Sequence, residues 1–185
     1  MGIKVVTPPA TEPVTLAEAK LHLRVDGSDE DALITRLISA AREQCEQELD
    51  RSVAPQTLEL RLDAFPEGAI LLPRGPVTAI TSVTYVDAAG TTQTIGSTNY
   101  LIDDLQIDAW LLPAYGYDWP ATRDEANAVR VRYDAGWVTC PAAVKQWILL
   151  AVGTLYASRE ADADRPALPQ GFSARLLDRY RVHAL

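Results

Sequence analysis

Few of the residues that usually carry enzyme chemistry occur in this chain. Its 185 residues include two histidines, two cysteines and one methionine. The sequence contains no glycine-rich phosphate loop, no HExxH or GxSxG motif and no cysteine pair at zinc spacing. His22 falls inside a helical pattern and His183 in the terminal tail, so neither stands at a diagnostic distance from a nucleophile. We therefore expect no enzyme, no metal and no cofactor.

Positive charge is also scarce. The chain has 17 Lys and Arg against 25 Asp and Glu, which gives a formal net charge of −8. A protein that holds a polyanion through its phosphates needs clustered Lys and Arg, so tight DNA binding is disfavoured. The net charge of the whole chain does not exclude a local basic patch, because folding can still bring Arg123, Arg130 and Arg132 together on one face.

Disulfide pairs and long apolar runs are missing as well. Cys45 and Cys140 lie far apart and outside any CxxC pair, so we expect small buried side chains in a reducing compartment. Residues 1–10 lack the apolar stretch of a signal peptide, and Val6 stands where a myristoylation signal has Ser or Thr. The richest apolar run, residues 147–157, is about half the length that crosses a bilayer. It predicts a core helix, and we expect no membrane partner.

Two helix starts stand close together near the beginning of the chain. Thr15 is followed three residues later by Glu18, and Ser28 by Asp31, and each pair has the pattern of a capping box. The helix after the first start is too short to be stable alone, so it must dock on the longer helix that follows. Together they predict an N-terminal helical hairpin over residues 14–50.

The second helix of this hairpin carries an apolar stripe at helical spacing. Charged residues on its opposite face, Arg42 and Glu43 among them, are expected to form solvated surface and not an acid–base site. The stripe consists of Leu33, Ile34, Leu37, Ile38, Ala41, Cys45 and Leu49.

After Pro55 the hydrophobic period changes from helical to two. Leu58, Leu60 and Leu62 alternate with polar residues, which indicates a half-buried strand. Further β patterns follow, and Gly90 suits a three-residue hairpin that needs a positive φ. We expect about seven antiparallel strands over residues 56–135, between the helical segments.

A third, long helix is predicted over residues 141–160, with a proline favoured at its first position. Its apolar residues cover more than one face, so it is either central or shared with another subunit. Gly153 costs about 1 kcal/mol relative to Ala in mid-helix, which indicates that something packs closely there. The candidate contact residues of this helix are Trp147, Leu150 and Tyr156.

Residues 161–185 are expected to form an extended linker and a docking tail. The tail has a short helical pattern with apolar residues on one side and arginines around it. So short a helix needs a partner surface, which is either the core of this chain or another protein. The candidate docking residues are Arg175, Leu176, Leu177, Arg179, Tyr180 and Arg181.

An aromatic stretch over residues 110–120 allows two interpretations. Tyr115, Tyr117 and Trp119 either cover one face of a sheet or form the hot spot of an interface, because Trp and Tyr concentrate binding energy.

The densest carboxylate group outside the helix caps comprises Asp103, Asp104 and Asp108. Its spacing lacks the EF-hand pattern and the loop glycine. We assign no metal to it.

Several segments, in order along the chain, resemble the phage head–tail connector family. The family often has Gly-Arg where this chain has Asp50-Arg51, and an aromatic residue and a second Gly where it has Trp137-Val138. Both departures fall at turns. The segments that carry the resemblance are Pro13 to Val25 (PVTLAEAKLHLRV), Ala40-Ala41-Arg42, Pro76 to Tyr85, Trp119-Pro120, Arg130 to Gly136, Pro141 with the helix to Glu160, Leu168-Pro169, and Leu176 to Arg181.

The resemblance implies a single α+β connector domain over residues 1–185, in a structural protein of a long-tailed phage, prophage or gene transfer agent. The resemblance implies a ring of about twelve subunits beneath the portal protein. The docking tail would contact the portal, and a stopper or tail-completion protein would sit on the other side of the ring. DNA would pass through the ring without specific binding, as the negative charge also suggests. The site of action would be the head–tail junction of the virion, with assembly in the host bacterial cytoplasm from chains that can be monomers.

Two other functions stay open beside the connector. A tail terminator or stopper protein of the same junction would also lack catalytic residues, but the ordered motifs favour the connector. A non-viral regulator that binds nucleic acid could use the helical hairpin, and it would show salt-dependent affinity for DNA.

Overall fold

The computed structural model describes residues 2–104, 108–158 and 175–182. The chain divides into two compact units: unit 1 comprises Met1–Ala10 and Pro55–Gly136, and unit 2 comprises Thr11–Ala54 and Trp137–Leu185. Strands make up unit 1 and helices dominate unit 2, so the predicted α+β class is confirmed. The single domain expected over the whole chain stays a prediction.

Unit 1 consists of two antiparallel sheets. The five-stranded sheet has the order β1 (Gly2–Thr7), β2 (Gln56–Leu62), β8 (Val129–Ala135), β4 (Val77–Val86) and β5 (Thr92–Ile95). The three-stranded sheet has the order β3 (Ile70–Leu72), β7 (Ala109–Pro113) and β6 (Tyr100–Asp103).

The two sheets of unit 1 share one core because their strands alternate. Leu58 and Leu60 of β2 and Val131 of β8 are buried there together with Leu111 of β7, whereas the residues between them belong to the opposite face. The Tyr133 hydroxyl donates to the Pro73 carbonyl at 2.7 Å, so its burial leaves no orphaned polar group. Burial raises the pKa of this phenol.

The hairpin between β4 and β5 follows the prediction. Gly90 has φ +84°, and the Asp87 amide pairs with the Thr91 carbonyl across a three-residue loop at 3.0 Å. The sequence pattern did not predict β1, which pairs with β2 at the edge of the sheet. All six residues of β1 are exposed, so burial imposes no alternation on its sequence.

Unit 2 contains the helices α1 (Leu16–Leu23), α2 (Asp31–Leu49) and α3 (Ala142–Ala157). Ile34 and Ile38 of α2 share a core with Val144 and Ile148 of α3, as the apolar stripe predicted. Cys45 and Cys140 are free and buried, as expected. The end of the predicted third helix at residues 159 and 160, and the predicted linker, lie outside the described residues.

The two predicted capping boxes have different outcomes. The Thr15 hydroxyl accepts from the Glu18 amide at 3.2 Å and the Glu18 carboxylate accepts from the Thr15 amide at 2.7 Å, which confirms the first box. The hydrogen bond from the Thr15 amide lowers the pKa of Glu18. The second box is wrong: no side chain caps α2, because Asp31 accepts instead from the Lys20 ammonium at 2.6 Å. A charge-assisted bond is stronger than one from a neutral amide.

Helix α3 differs slightly from its prediction. Pro141 is the N-cap and not the first helical residue. The Nε2 atom of His22 on α1 lies 3.5 Å from the position of a Cβ built on Gly153, so a side chain does pack there, at ordinary van der Waals distance. Within the described ranges, no helix is long and apolar enough to span a lipid bilayer.

Candidate interaction surfaces

The tail, residues 175–182, packs on unit 2 itself. It is helical over residues 175–177 and continues as a 3-10 turn over Asp178–Tyr180. The Leu177 side chain is fully buried in the core of unit 2, and the Val182 amide donates to the Leu49 carbonyl at 3.2 Å. This placement corrects the expectation that Leu177 contacts a partner, because the side chain already fills the core of its own chain.

Polar and aromatic contacts hold the same tail. The Tyr180 ring meets the Trp137 ring edge-on at 5.8 Å, and the Arg51 guanidinium lies 5.1 Å from the centre of the Trp137 ring. Arg181 forms an ion pair of 2.9 Å with Glu48. Tyr180 and Arg181 therefore anchor the tail internally. The exposed members of the predicted docking set are Arg175 and Arg179, and Leu176 is half-buried.

Of the three candidate contact residues on α3, one belongs to the core. Trp147 is buried in unit 2, which corrects the expectation that its ring is available to another subunit. The hydroxyl of Tyr156, a half-buried residue, donates to the Glu30 carboxylate. Leu150 is half-exposed and lies outside the core cluster, so it is the apolar residue of the three that is most available for contact.

The aromatic stretch divides between the two interpretations. Trp119 stacks on Phe65 with ring centres 5.0 Å apart and planes at 7°, and its indole nitrogen donates to the Gly68 carbonyl at 2.7 Å. Tyr117 meets Trp119 edge-on at 6.3 Å, and both rings pack against the core of unit 1. These two residues cover the core.

Tyr115 faces solvent completely, at 106% relative exposure. It stands at the tip of a turn that the Tyr117 amide closes by donating to the Ala114 carbonyl at 2.9 Å. Gly116 takes the left-handed position of this turn, with φ +79°. This hydrogen-bonded turn therefore presents a fully exposed tyrosine, a residue type that often anchors interfaces.

A buried arginine lies on the α2 face that we expected to be solvated. Arg42 is 7% exposed, and its guanidinium forms ion pairs with Glu12 and Glu46 at 2.9 Å and with Glu43 at 3.2 Å. Three carboxylates offset the cost of burying this charge, which is why the expectation was wrong. The i,i+4 spacing of Arg42 and Glu46 was the sequence signal for part of this cluster.

Unit 1 contains the reverse arrangement. Glu59 on β2 is 5% exposed and pairs with Arg61 at 2.7 Å and Arg132 at 2.8 Å. Desolvation raises the pKa of this carboxyl, but the hydrogen bonds and charges of Arg132 and Arg61 outweigh desolvation and lower it overall. The alternating polar residues of β2 and β8 were the sequence signal for this charged face, but the sequence analysis did not predict the ion pairs of Glu59.

The arginines considered from sequence separate into two places. Arg130 and Arg132 lie on one face of β8, directly opposite Arg61 and Glu59 of β2. Arg123 lies in the segment between β7 and β8, where it forms an exposed ion pair of 3.5 Å with Glu125.

The described residues bring together no group of three His, Cys, Asp or Glu side chains that could hold a metal ion. His22 is exposed on α1. Burial raises the pKa of the Cys140 thiol to about 11 and also raises that of Cys45. Neither thiol therefore has the lowered pKa that a nucleophilic cysteine needs.

Comparisons with known proteins identify the class of this fold. The family model of phage gp6-like head–tail connector proteins matches residues 13–108, just over half of the chain. No curated protein matches. Three solved chains are similar over the full length. One comes from the neck of an empty gene transfer agent particle computed with C6 symmetry, with 24% identity and a TM-score of 0.84. The second comes from the virion of a native gene transfer agent particle (24% identity, TM-score 0.82), and the third from the neck of a native particle computed with C12 symmetry (23% identity, TM-score 0.80). Each alignment covers 100% of this chain and 98% of the other.

The chain belongs to the phage gp6-like head–tail connector family, which confirms the resemblance that the ordered sequence motifs carried. It is a structural connector of the head–tail junction.

One departure from the family pattern has a simple structural explanation. Asp50 ends α2 in the left-handed conformation, with φ +51° and ψ +40°. Glycine adopts this conformation most readily, and Asp is among the side chains that tolerate it. The Asp50-Arg51 turn therefore keeps the shape that Gly-Arg would give.

Proposed function

We propose that this chain forms a ring of twelve subunits beneath the portal of a phage, prophage or gene transfer agent. The ring extends the DNA channel and provides the surface on which the stopper or tail-completion protein sits. Family membership carries this proposal. The full-length similarity to chains from necks computed with C6 and C12 symmetry supports it.

Contacts of modest strength suffice for such a ring. Once a ring docks on a ring, the later contacts become intramolecular, and avidity can add factors of roughly 10² to 10⁴. Leu150 and Tyr156 on α3 and the bare Tyr115 are the side chains that we assign to neighbouring subunits or to the protein seated below. The rings of Tyr117 and Trp119 support the Tyr115 turn from the core.

We assign portal docking to the exposed side of the tail. Arg175 and Arg179 are exposed, whereas Leu177 and Tyr180 hold the tail against its own unit. In this arrangement the arginines orient the contact with an acidic portal surface, and the buried residues keep them in place. A charge at position 177 would disrupt the fold as well as the docking, so the arginines are the informative positions.

We also propose that the chain catalyses no reaction and lets DNA pass without specific binding. The pKa shifts in the described residues arise from a helix cap, a hairpin turn, ion pairs and burial, and the net charge of the chain is −8. These pKa shifts are not those of a catalytic site. The negative net charge is not that of a surface that binds DNA phosphates.

The test combines the full-length chain with the portal protein of the same particle. We expect cryo-electron microscopy to show a twelvefold ring of this chain on the portal. The double variant Arg175→Glu/Arg179→Glu should keep its circular dichroism spectrum and bind the portal at least about tenfold more weakly, because repulsive charges replace attractive ones.

The matched control is Arg24→Glu/Arg36→Glu, which changes the net charge equally at two exposed arginines elsewhere in unit 2. It should bind like the unaltered chain. Unaltered binding by the tail variant would remove the tail from the contact, and a portal that never acquires a ring would refute the proposed function.

A further inference from the structure

One outer face of unit 1 collects most of its positive charge. Strand pairing places Lys4 opposite Glu59, Glu59 opposite Arg132 and Arg61 opposite Arg130, so these side chains share the face of the five-stranded sheet that lies away from the core. Four of the six Lys and Arg residues of unit 1 lie there. We call Lys4, Arg61, Arg130 and Arg132 the basic face.

Positive charge is in surplus on the basic face, because its four cations share the face with two carboxylates, Glu59 and Asp134. Glu59 pairs with Arg61 and Arg132, and no ion pair to Arg130 occurs among the described residues. Arg130 is exposed, and like charges directly across two strands destabilise a sheet. An anionic partner over this face would neutralise the exposed Arg130 and offset its repulsion of Arg61.

The outer face of the three-stranded sheet is apolar. Ala109 and Leu111 of β7 point into the core, and the alternating residues Trp110 and Leu112 are half-exposed and lie outside the core cluster. Leu71 lies opposite Trp110, and Leu101, at 60% exposure, lies opposite Leu112. Strands that are apolar on both faces are typical of sheets covered on both sides.

Carboxylates border this apolar face. Asp103 lies opposite Trp110, the exposed Asp104 follows it, and Asp108 precedes β7. We call Leu71, Leu101, Trp110 and Leu112, together with these three carboxylates, the apolar–acidic face. It lies on the opposite outer side of unit 1 from the basic face, since the core of the unit separates the two sheets.

We propose that the basic face of one copy packs against the apolar–acidic face of the next. The arginine head groups would meet Asp103 and Asp104, while the arginine stems cover Leu101 and Leu112. A contact between two different faces on opposite sides of one unit is heterologous and repeats from copy to copy, so it can close a ring. The inference rests on the proposed ring and names the surfaces that join its subunits.

A second copy accounts for the observations better than DNA does. DNA phosphates would satisfy the arginines, but they would leave the exposed Leu101 and the half-exposed Leu112 of the other face uncovered. A second copy satisfies both faces at once. It also explains how chains of net charge −8 associate despite their mutual repulsion.

The experiment reverses one charge on each face of the full-length chain and follows ring assembly on the portal by cryo-electron microscopy. Arg130→Glu alone and Asp104→Lys alone should each reduce ring formation at least about tenfold, because each places like charges in every contact. An equimolar mixture of the two variants should restore rings of alternating copies. In such rings the introduced carboxylate of one variant meets the introduced ammonium of the other, and the unaltered Arg130 meets the unaltered Asp104. Circular dichroism checks that each variant is folded.

The matched controls are Arg123→Glu and Asp124→Lys, which make the same charge changes at exposed positions away from both faces. They should assemble like the unaltered chain. If the unaltered chain forms rings and the single variants form them equally well, or if mixing restores nothing, this inference is refuted while the proposed function stands. If Arg130→Glu instead weakens binding to a short DNA duplex and leaves the rings intact, the basic face contacts DNA and the inference fails. A portal on which even the unaltered chain forms no ring refutes the proposed function itself.

Discussion

Each unit buries one charged side chain among partners of the opposite charge, and the sign of the buried charge differs between the two units. Unit 2 buries an arginine, Arg42, among three carboxylates, and unit 1 buries a carboxylate, Glu59, between two arginines. In both places the buried charge is outnumbered by its partners, so its desolvation is offset.

The difference lies in what the surplus charge does. Around Arg42 the surplus carboxylate oxygens bind within unit 2: Glu12 accepts from the Ser39 hydroxyl at 2.8 Å, and Glu46 accepts from the Val53 amide at 2.9 Å. The first bond ties the segment before α1 to the middle of α2, and the second ties the segment after α2 to the last turn of that helix. Around Glu59 the surplus arginines are partly exposed on a sheet face. The first cluster uses its surplus charge within the fold, whereas the second leaves arginine side chains partly exposed on the sheet.

The largest effect is expected from Arg42→Met. The substitution keeps the length of the side chain but leaves the carboxylates of Glu12 and Glu46 facing each other, so it should cost about 3 kcal/mol of unfolding free energy. Denaturant titration measures the cost. The control Arg36→Met, at an exposed position of the same helix, should change stability by less than about 0.5 kcal/mol. Equal costs for the two variants would show that the cluster is not structural.

A smaller effect is expected from Glu59→Gln, about 1 to 2 kcal/mol at neutral pH, because its arginine partners are partly solvated. The lowered pKa of Glu59 in the folded chain means that its contribution is complete above the ordinary value of 4.5 and is lost as the pH falls through the folded value. The stability difference between the unaltered chain and the variant should therefore shrink in acid. A difference that stays constant from neutral pH to about pH 3 would contradict the ion-pair assignment.

The smallest effects, of opposite sign, are expected from one glycine in each unit. Gly90→Ala should destabilise unit 1 by about 1 kcal/mol, because a backbone φ of +84° is strained for alanine. Gly153→Ala should stabilise unit 2 by up to about 1 kcal/mol, since the new methyl would meet His22 at an ordinary 3.5 Å. Thermal melting of the two variants tests the pair. Destabilisation by both would mean that α3 has no room at Gly153.

Elements set by local patterns were predictable from the sequence. The alternation around Leu58, the capping box at Thr15 and the turn at Gly90 each depend on residues within a few positions. The box at Ser28 failed because its carboxylate is taken by Lys20, eleven residues before it. Strand β1 was missed because it pairs with residues fifty or more positions away and is exposed throughout.

The sequence predicted which residues belong to the candidate surfaces, but not whether their side chains face solvent or the core. The pattern marked Leu177 and Trp147 as apolar contact residues, but only tertiary packing shows that both face their own core. Tyr115 and Trp119 belong to one aromatic stretch, and the Gly116 turn leaves the first bare while the second stacks on Phe65. Arg42 is buried because Glu12, thirty residues earlier, reaches it.

The two buried thiols have a practical consequence. Burial holds the pKa of Cys140 at about 11 and raises that of Cys45, so both react slowly with maleimides at neutral pH. A cysteine introduced at an exposed position such as Tyr115 would then be the fast-reacting site of the native chain. Fluorophores attached there could report distances between neighbouring copies without any change to the native sulfur atoms.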